Sequence, residues 1–365
     1  MTPDAAELQR RARKLLPRNV YDYYAGGSGR ERTLRANEKA WRQVWMAPRV
    51  LREVSAVDTS TRLLGTELAT PLCVAPTGYH GLAHPDGELA TAAGAAKAGA
   101  LFVLSTRSSR RIEEVAEVVA AAGGAWWFQV YLMRDRELTA GLVRRAAAAG
   151  AAALVLTADT PVVGRKRREG DDGVVSDEDF LVNLGPLEDI ATAAQAADLT
   201  FADISWLSEA AEGAGGGGGG RLPVVVKGVL RGDDARACRA YGAAAVIVSN
   251  HGGRQLDGAL PSAVALPDVA GQRQPGWAWE VYADGGIRTG EDALAALGLG
   301  ARAVFLGRPV LWALTCGGAD GVRSLLAGLT EDLAHAMALA GAASIAETAG
   351  IARMAWPAPA GLQPR

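Results

Sequence analysis

Residues 244–258 read AAVIVSNHGGRQLDG. The first half is continuously apolar, the pattern of a strand buried on both faces of a parallel sheet. The second half turns polar at once. Asn250, His251, Arg254, Gln255 and Asp257 surround the pair Gly252–Gly253, and His251 is one of only four histidines in 365 residues. Parallel barrels present such chemistry at the C-terminal ends of their strands, where several strand ends together build one site.

Seven more apolar runs repeat the form, at 72–76 (LCVAP), 101–106 (LFVLST), 126–131 (WWFQVY), 152–159 (AALVLTAD), 223–229 (PVVVKGV), 281–286 (VYADGG) and 303–309 (AVFLGRP). Between them, segments such as 86–99, 109–122, 136–149, 233–241 and 290–299 are Ala-rich with helical spacing. Eight strand–helix units predict an α/β fold, a (β/α)8 TIM barrel. A doubly wound sheet is the rival, but no GxGxxG follows the first strand. The expected organisation is one domain over residues 1–365, with helices in residues 1–40 laid before the barrel. One gap breaks the rhythm: residues 165–222 read as a lid insertion after strand 4, and the glycine run 215–220 as its flexible tether.

A net charge of -2 gives no reason to expect nucleic acid or an anionic membrane as partner. Cys73, Cys238 and Cys316 are widely spaced, which argues against a disulfide framework or a metal site and suits a reducing cytoplasm. The first sixteen residues are charged and amphipathic, unlike a signal peptide, and no apolar run approaches 18 residues.

The unusual residues gather at the strand ends: Thr77, Ser105, Gln129, Tyr131, Thr157, Asp159, Lys227, His251, Asp284 and Arg308. A serine or threonine there is as readily structural as functional. A lysine after Pro-Val-Val-Val, and a histidine with Arg254, Asp159 and Tyr131 at the same rim, point to a site. The last two strands lead into DGGIRTG (284–290) and LGRP (306–309), two glycine turns that each carry an arginine and open a helix. Phosphate typically binds at that place in such barrels. A phosphorylated cofactor with an anionic substrate above it is the expectation, and the residues alone do not say which cofactor.

The chain resembles the FMN-dependent 2-hydroxy-acid oxidases and dehydrogenases. The resemblance is carried by VYDYYAGGSG (20–29), APTGYHGLAHPDGE (75–88), WFQVY (127–131), LTADTP (156–161), VVKGV (225–229), SNHGGRQLDG (249–258), DGGIR (284–288) and LGRP (306–309). It implies FMN, and oxidation of an (S)-2-hydroxy acid, large or aromatic and mandelate-like, by oxygen or another electron acceptor. By the same resemblance His251 is the base, Asp159 its partner, and Arg254 the carboxylate grip, with Tyr23 and Tyr131 bonding carboxylate and hydroxyl. Lys227 stands at the flavin N1/O2 edge. Ala75, Pro76, Thr77, Ser105, Gln129, Thr157 and Ser249 line the ring and ribityl chain. Asp284, Gly286, Arg288, Gly307 and Arg308 hold ribityl and phosphate. No metal is implied, and relatives are often homo-oligomers, tetramers or octamers.

Three departures stand out. A second carboxylate-binding arginine is usual in a G-x-R pattern, but here GRKRRE puts Lys166 at that position, with Arg165, Arg167 and Arg168 as shifted candidates. Lysine keeps the charge and loses the fork. Position 107, bulky in glycolate oxidase relatives, is Arg107, which either meets a second acidic group or points into solvent; solvent is the expectation. Gly78 is mandelate dehydrogenase-like, where many oxidases carry alanine, so oxidase against dehydrogenase stays open. The altered GRKRRE stretch leaves an amine or a modified peptide-derived substrate as an alternative, and a non-redox FMN isomerase as a more distant one.

Overall fold

A computed structural model describes residues 4–168, 174–175, 182–184, 190–212, 221–273 and 279–354. Eight parallel strands close into a barrel. They are β1 (Leu72–Val74), β2 (Phe102–Ser105), β3 (Trp126–Val130), β4 (Leu154–Thr157), β5 (Val224–Val229), β6 (Ala245–Val248), β7 (Glu280–Asp284) and β8 (Ala303–Leu306). Their apolar runs are continuous because both faces are covered. One set of alternate residues, including Val103, Trp127, Val155, Val225, Ile247, Tyr282 and Phe305, fills the barrel interior. The other set, with Phe102, Phe128, Leu154 and Val246, joins the core under the helices.

Helices follow every strand, among them Gly87–Lys97, Ile112–Ala121, Arg136–Ala148, Gly232–Ala240 and Gly290–Gly298, where the Ala-rich segments predict them. The last, Arg308–Ala340, breaks at Gly317 and Gly318, whose backbone is non-helical. Among the described residues, no helix is long and apolar enough to cross a membrane.

Part of the expected insertion is barrel wall. Helix Ala202–Ala210 buries Ile204 and Leu207 and is the connection between β4 and β5. Residues 190–197 pack on the end of β3, where Arg134 donates to the Ala194 carbonyl and Ala196 to the Leu132 carbonyl. The glycine run 215–220, and the tether expected there, lies outside the described residues.

One element and one contact had no counterpart in the sequence reading. A hairpin, Thr61–Leu63 against Thr66–Leu68, puts Leu63 and Leu68 among the barrel-interior residues at the N-terminal end of the strands. At the opposite end, helix Arg32–Trp41 lies over the 249–258 loop. Asp257 accepts from the backbone N–H groups of Arg30 and Thr33 at 2.8 and 3.1 Å, and Asn37 and Asn250 exchange amide hydrogen bonds.

Candidate active site

The interior alternation continues past the apolar layers and delivers the polar residues. Two residues beyond Val103 comes Ser105. Beyond Trp127 come Gln129 and Tyr131, beyond Val155 come Thr157 and Asp159, beyond Val225 comes Lys227, and beyond Ile247 comes Ser249. Above them opens a cavity of about 830 Å³. Tyr23, Ala75, Pro76, Thr77, Ser105, Tyr131, Lys166, Lys227, His251, Arg254, Asp284, Gly286, Arg288, Gly307 and Arg308 all line it. Gln129, Thr157 and Ser249 form a buried tier that holds the lining in place. Gln129 accepts from Ser105 and donates to Thr157 at 2.9 Å, while Ser249 takes the Lys227 ammonium at 2.8 Å.

His251 sits on the turn after β6, and its Nδ1 is 2.9 Å from Asp159 Oδ1. Burial by itself raises the Asp159 carboxyl. The charge and hydrogen bond of His251, with Lys227 nearby, outweigh it and hold Asp159 below the ordinary carboxylate value. Gly228 makes this placement possible. It lies at a bulge in β5, and a Cβ there would stand 2.5 Å from the Asp159 Cβ. An isolated glycine inside PVVVKGV was the available signal for that close approach.

Lys227 is 4% exposed and lies 3.1 Å from Asp284 Oδ2. Burial lowers its pKa, but Asp284 and Asp159 raise it further, so the net direction is up and the ammonium persists. The other Asp284 oxygen is buried with no hydrogen-bond partner among the described residues.

Arg254 lies over the Tyr23 ring, 5.0 Å from its centre, and donates to the carbonyls of Tyr23 and Gly26. Tyr23 therefore belongs to the cavity rather than to packing at the rim. Burial, with the negative charge of Asp159, pushes the Tyr131 phenol well above its usual value, so it stays a donor. Of the four basic candidates after β4, Lys166 lines the cavity, whereas Arg165 and Arg167 are exposed and Arg168 pairs with Glu31 at 2.6 Å. Arg107 corrects the solvent expectation. It is partly buried, lines the cavity, and stands 6.0 Å from the centre of the Tyr131 ring.

The two glycine turns differ. Helix Gly290–Gly298 is closed by its own capping box of Thr289 and Asp292, and Arg288 is paired with Glu38 at 2.8 Å. Helix Arg308–Ala340 starts at Gly307 with no side-chain cap. Arg308 donates to the backbone carbonyls of Tyr24, Gly26 and Gly252. Burial, then the charges of Arg254 and Arg288, push its pKa down to about 9. An anion seated there would satisfy both the helix end and the crowded cations.

Three polar residues of the opening stretch are braces. Asn250 and Asp257 hold helix Arg32–Trp41, and Gln255 donates to the Asp159 and Val162 carbonyls and accepts from Gly164 N–H. Sequence reasoning missed these roles, and Glu38 as well, because their partners are more than 90 residues away in the chain.

Residues 12–352 match the family model described as FMN-dependent dehydrogenase. An L-lactate oxidase from Nostoc sp. is 42% identical over 355 residues, covering 93% of this chain and 94% of that protein. A 4-hydroxymandelate oxidase from Amycolatopsis orientalis is 43% identical over 348 residues, covering 93% and 95%. A crystal structure of mandelate oxidase superposes with a TM-score of 0.85 at 41% identity, over 97% of this chain and 99% of the other.

Proposed function

Because the chain belongs to the FMN-dependent dehydrogenase family, it is an FMN enzyme, and we propose that it oxidises an (S)-2-hydroxy acid with a large, aromatic side chain to the 2-oxo acid. The cavity fits that cofactor. Its volume falls in the range of about 300–1,000 Å³ usual for such ligands. The unpartnered Asp284 oxygen suits a ribityl hydroxyl, and Arg308 with the uncapped helix end at Gly307 suits the phosphate. Arg288 and Gly286 complete that end. Ala75, Pro76, Thr77 and Ser105 form the wall for the ring, supported by Gln129, Thr157 and Ser249.

The observation that carries the reading is the His251–Asp159 pair opening on the same cavity as Arg254. Asp159 occupies Nδ1 and leaves Nε2 to take the proton from the substrate hydroxyl. Ionised Asp159 then stabilises the imidazolium. The Arg254 fork meets the planar carboxylate, with Lys166 as a second cation and Tyr23 and Tyr131 as hydroxyl donors. Lys227 would offer bound FMN a fixed positive charge against the negative charge that develops on reduction. Bound FMN supplies what side chains lack, accepting the two electrons that leave the substrate carbon. The 4-hydroxymandelate and mandelate oxidases among the similar proteins support the aromatic side chain. An FMN isomerase has no use for the His251–Arg254 pair.

Anaerobic mixing of the holoenzyme with (S)-mandelate tests this by flavin absorbance. Bleaching is expected, and the speed of recolouring in air assigns oxygen or another acceptor. Flavin that stays oxidised with both mandelate and aliphatic 2-hydroxy acids overturns the reading.

A further inference from the structure

A second buried polar cluster stands behind the cavity wall, in the segment that follows β1. Thr77 lines the cavity, whereas His80, Glu88 and Thr91 are fully buried and do not reach it. Glu88 fixes the backbone of this segment. Its oxygens accept from His80 N–H at 2.9 Å, from Ser109 N–H at 3.0 Å and from the Ser109 hydroxyl at 2.6 Å. Ser109 Oγ in turn accepts from Gly81 N–H at 2.7 Å.

The His80 ring is held at both nitrogens, Nε2 at 2.6 Å from Thr77 Oγ1 and Nδ1 at 2.9 Å from Thr91 Oγ1. Burial lowers its pKa and outweighs the nearby Glu88 charge, so the imidazole is neutral. A neutral imidazole has one N–H and one bare nitrogen. The partners decide which is which. The ring also bonds toward the backbone carbonyl of Thr77, a group that can only accept, so the proton sits on the side facing Thr77, at Nε2. Thr91 Oγ1 is 3.4 Å from the Gly87 carbonyl but 2.9 Å from Nδ1, and the shorter contact takes its proton. The Thr77 hydroxyl therefore accepts from Nε2–H. Its own hydrogen meets no acceptor among the described residues and is available to a ligand in the cavity. A hydroxyl can otherwise donate or accept as its surroundings dictate, and His80 removes that choice. The oxidised ring of FMN presents chiefly acceptors at its polar rim, carbonyl oxygens and bare ring nitrogens.

We propose that His80 is a positioning residue for the cofactor: through Nε2–H it fixes the Thr77 hydroxyl as a hydrogen-bond donor to an acceptor atom of the FMN ring. This rests on the cofactor and not on the choice of substrate, and no proton moves through it during turnover.

The test needs no substrate. FMN release from the holoenzyme gives Kd for Thr77→Val, His80→Phe and the double variant. One neutral hydrogen bond corresponds to a rise of about 2–10-fold, expected for Thr77→Val. His80→Phe should weaken FMN when Thr77 is present and have no further effect in the Thr77→Val background. His80→Gln, whose amide can still donate to Thr77, should restore most of the affinity. In the unsubstituted holoenzyme, magnetic resonance of isotope-labelled histidine should show His80 neutral with its proton on Nε2. An unchanged Kd in Thr77→Val overturns the proposal. So does an equal loss from His80→Phe in both backgrounds, which would make His80 a packing residue only. A proton found on Nδ1 with Nε2 bare overturns it without any variant. Each of these outcomes leaves the 2-hydroxy-acid reading standing, because flavin bleaching by substrate is a separate measurement.

Discussion

The two ends of the barrel are built from the same rows of side chains and do opposite things with them. At the N-terminal end the rows meet Leu63 and Leu68 of the hairpin, and the interior closes on hydrocarbon. At the C-terminal end the same rows continue into Ser105, Gln129, Thr157, Lys227 and Ser249, and the interior closes on hydrogen bonds and charge. One end excludes water by packing, and the other arranges polar groups around a ligand. Stability and chemistry are therefore separable along the barrel axis, as is general for this architecture.

The sharpest way to break the comparison is at the polar end. His251→Gln should keep FMN and lower the rate of flavin reduction by about 10²–10⁴-fold, the usual worth of a general base. Stopped-flow absorbance measures it, and a near-normal rate would remove His251 as the base. The counterpart at the apolar end is Leu63→Ala. Leu63 is fully buried, so the change should cost about 2–5 kcal/mol and lower Tm. Turnover per molecule of folded holoenzyme should hold; a parallel loss of turnover would mean that the ends are coupled.

Asp159→Asn probes the junction. The folded-state pKa of Asp159 lies below its unfolded value, so its stabilisation is present above the unfolded carboxylate value and is lost as pH falls through the folded one. The variant should melt below the wild type at pH 7, and the gap should narrow below about pH 4. A gap that stays constant with pH would mean that the carboxylate charge is not what matters. The smallest effect belongs to Lys166→Ala, which should raise KM about tenfold through loss of one charged contact. An unchanged KM would show that the Arg254 fork suffices.

Much of this was legible in the sequence because barrel strands announce themselves twice, by apolar runs and by the chemistry at their ends. Seven of the eight strands fall within the expected segments and β7 starts one residue early, at Glu280, while the expected rim residues surround one cavity or its supporting tier. What escaped has a common physical cause. The Arg288–Glu38 pair, the Asn37–Asn250 exchange and the hairpin plug all join segments far apart in the chain, and no local pattern encodes a distant partner. Arg107 escaped differently: it lies in the turn after β2, and a charged residue past a strand end reads as solvated by default. Helix Ala202–Ala210 was hidden by the unusual length of the segment around it.

His251 itself has a backbone φ of +58°. That left-handed conformation is disfavoured for a residue with a Cβ, by roughly 1–3 kcal/mol. Glycine would sit there at ease, and the next two residues are glycines. The backbone therefore bears a cost to present an imidazole, rather than a hydrogen, to the cavity.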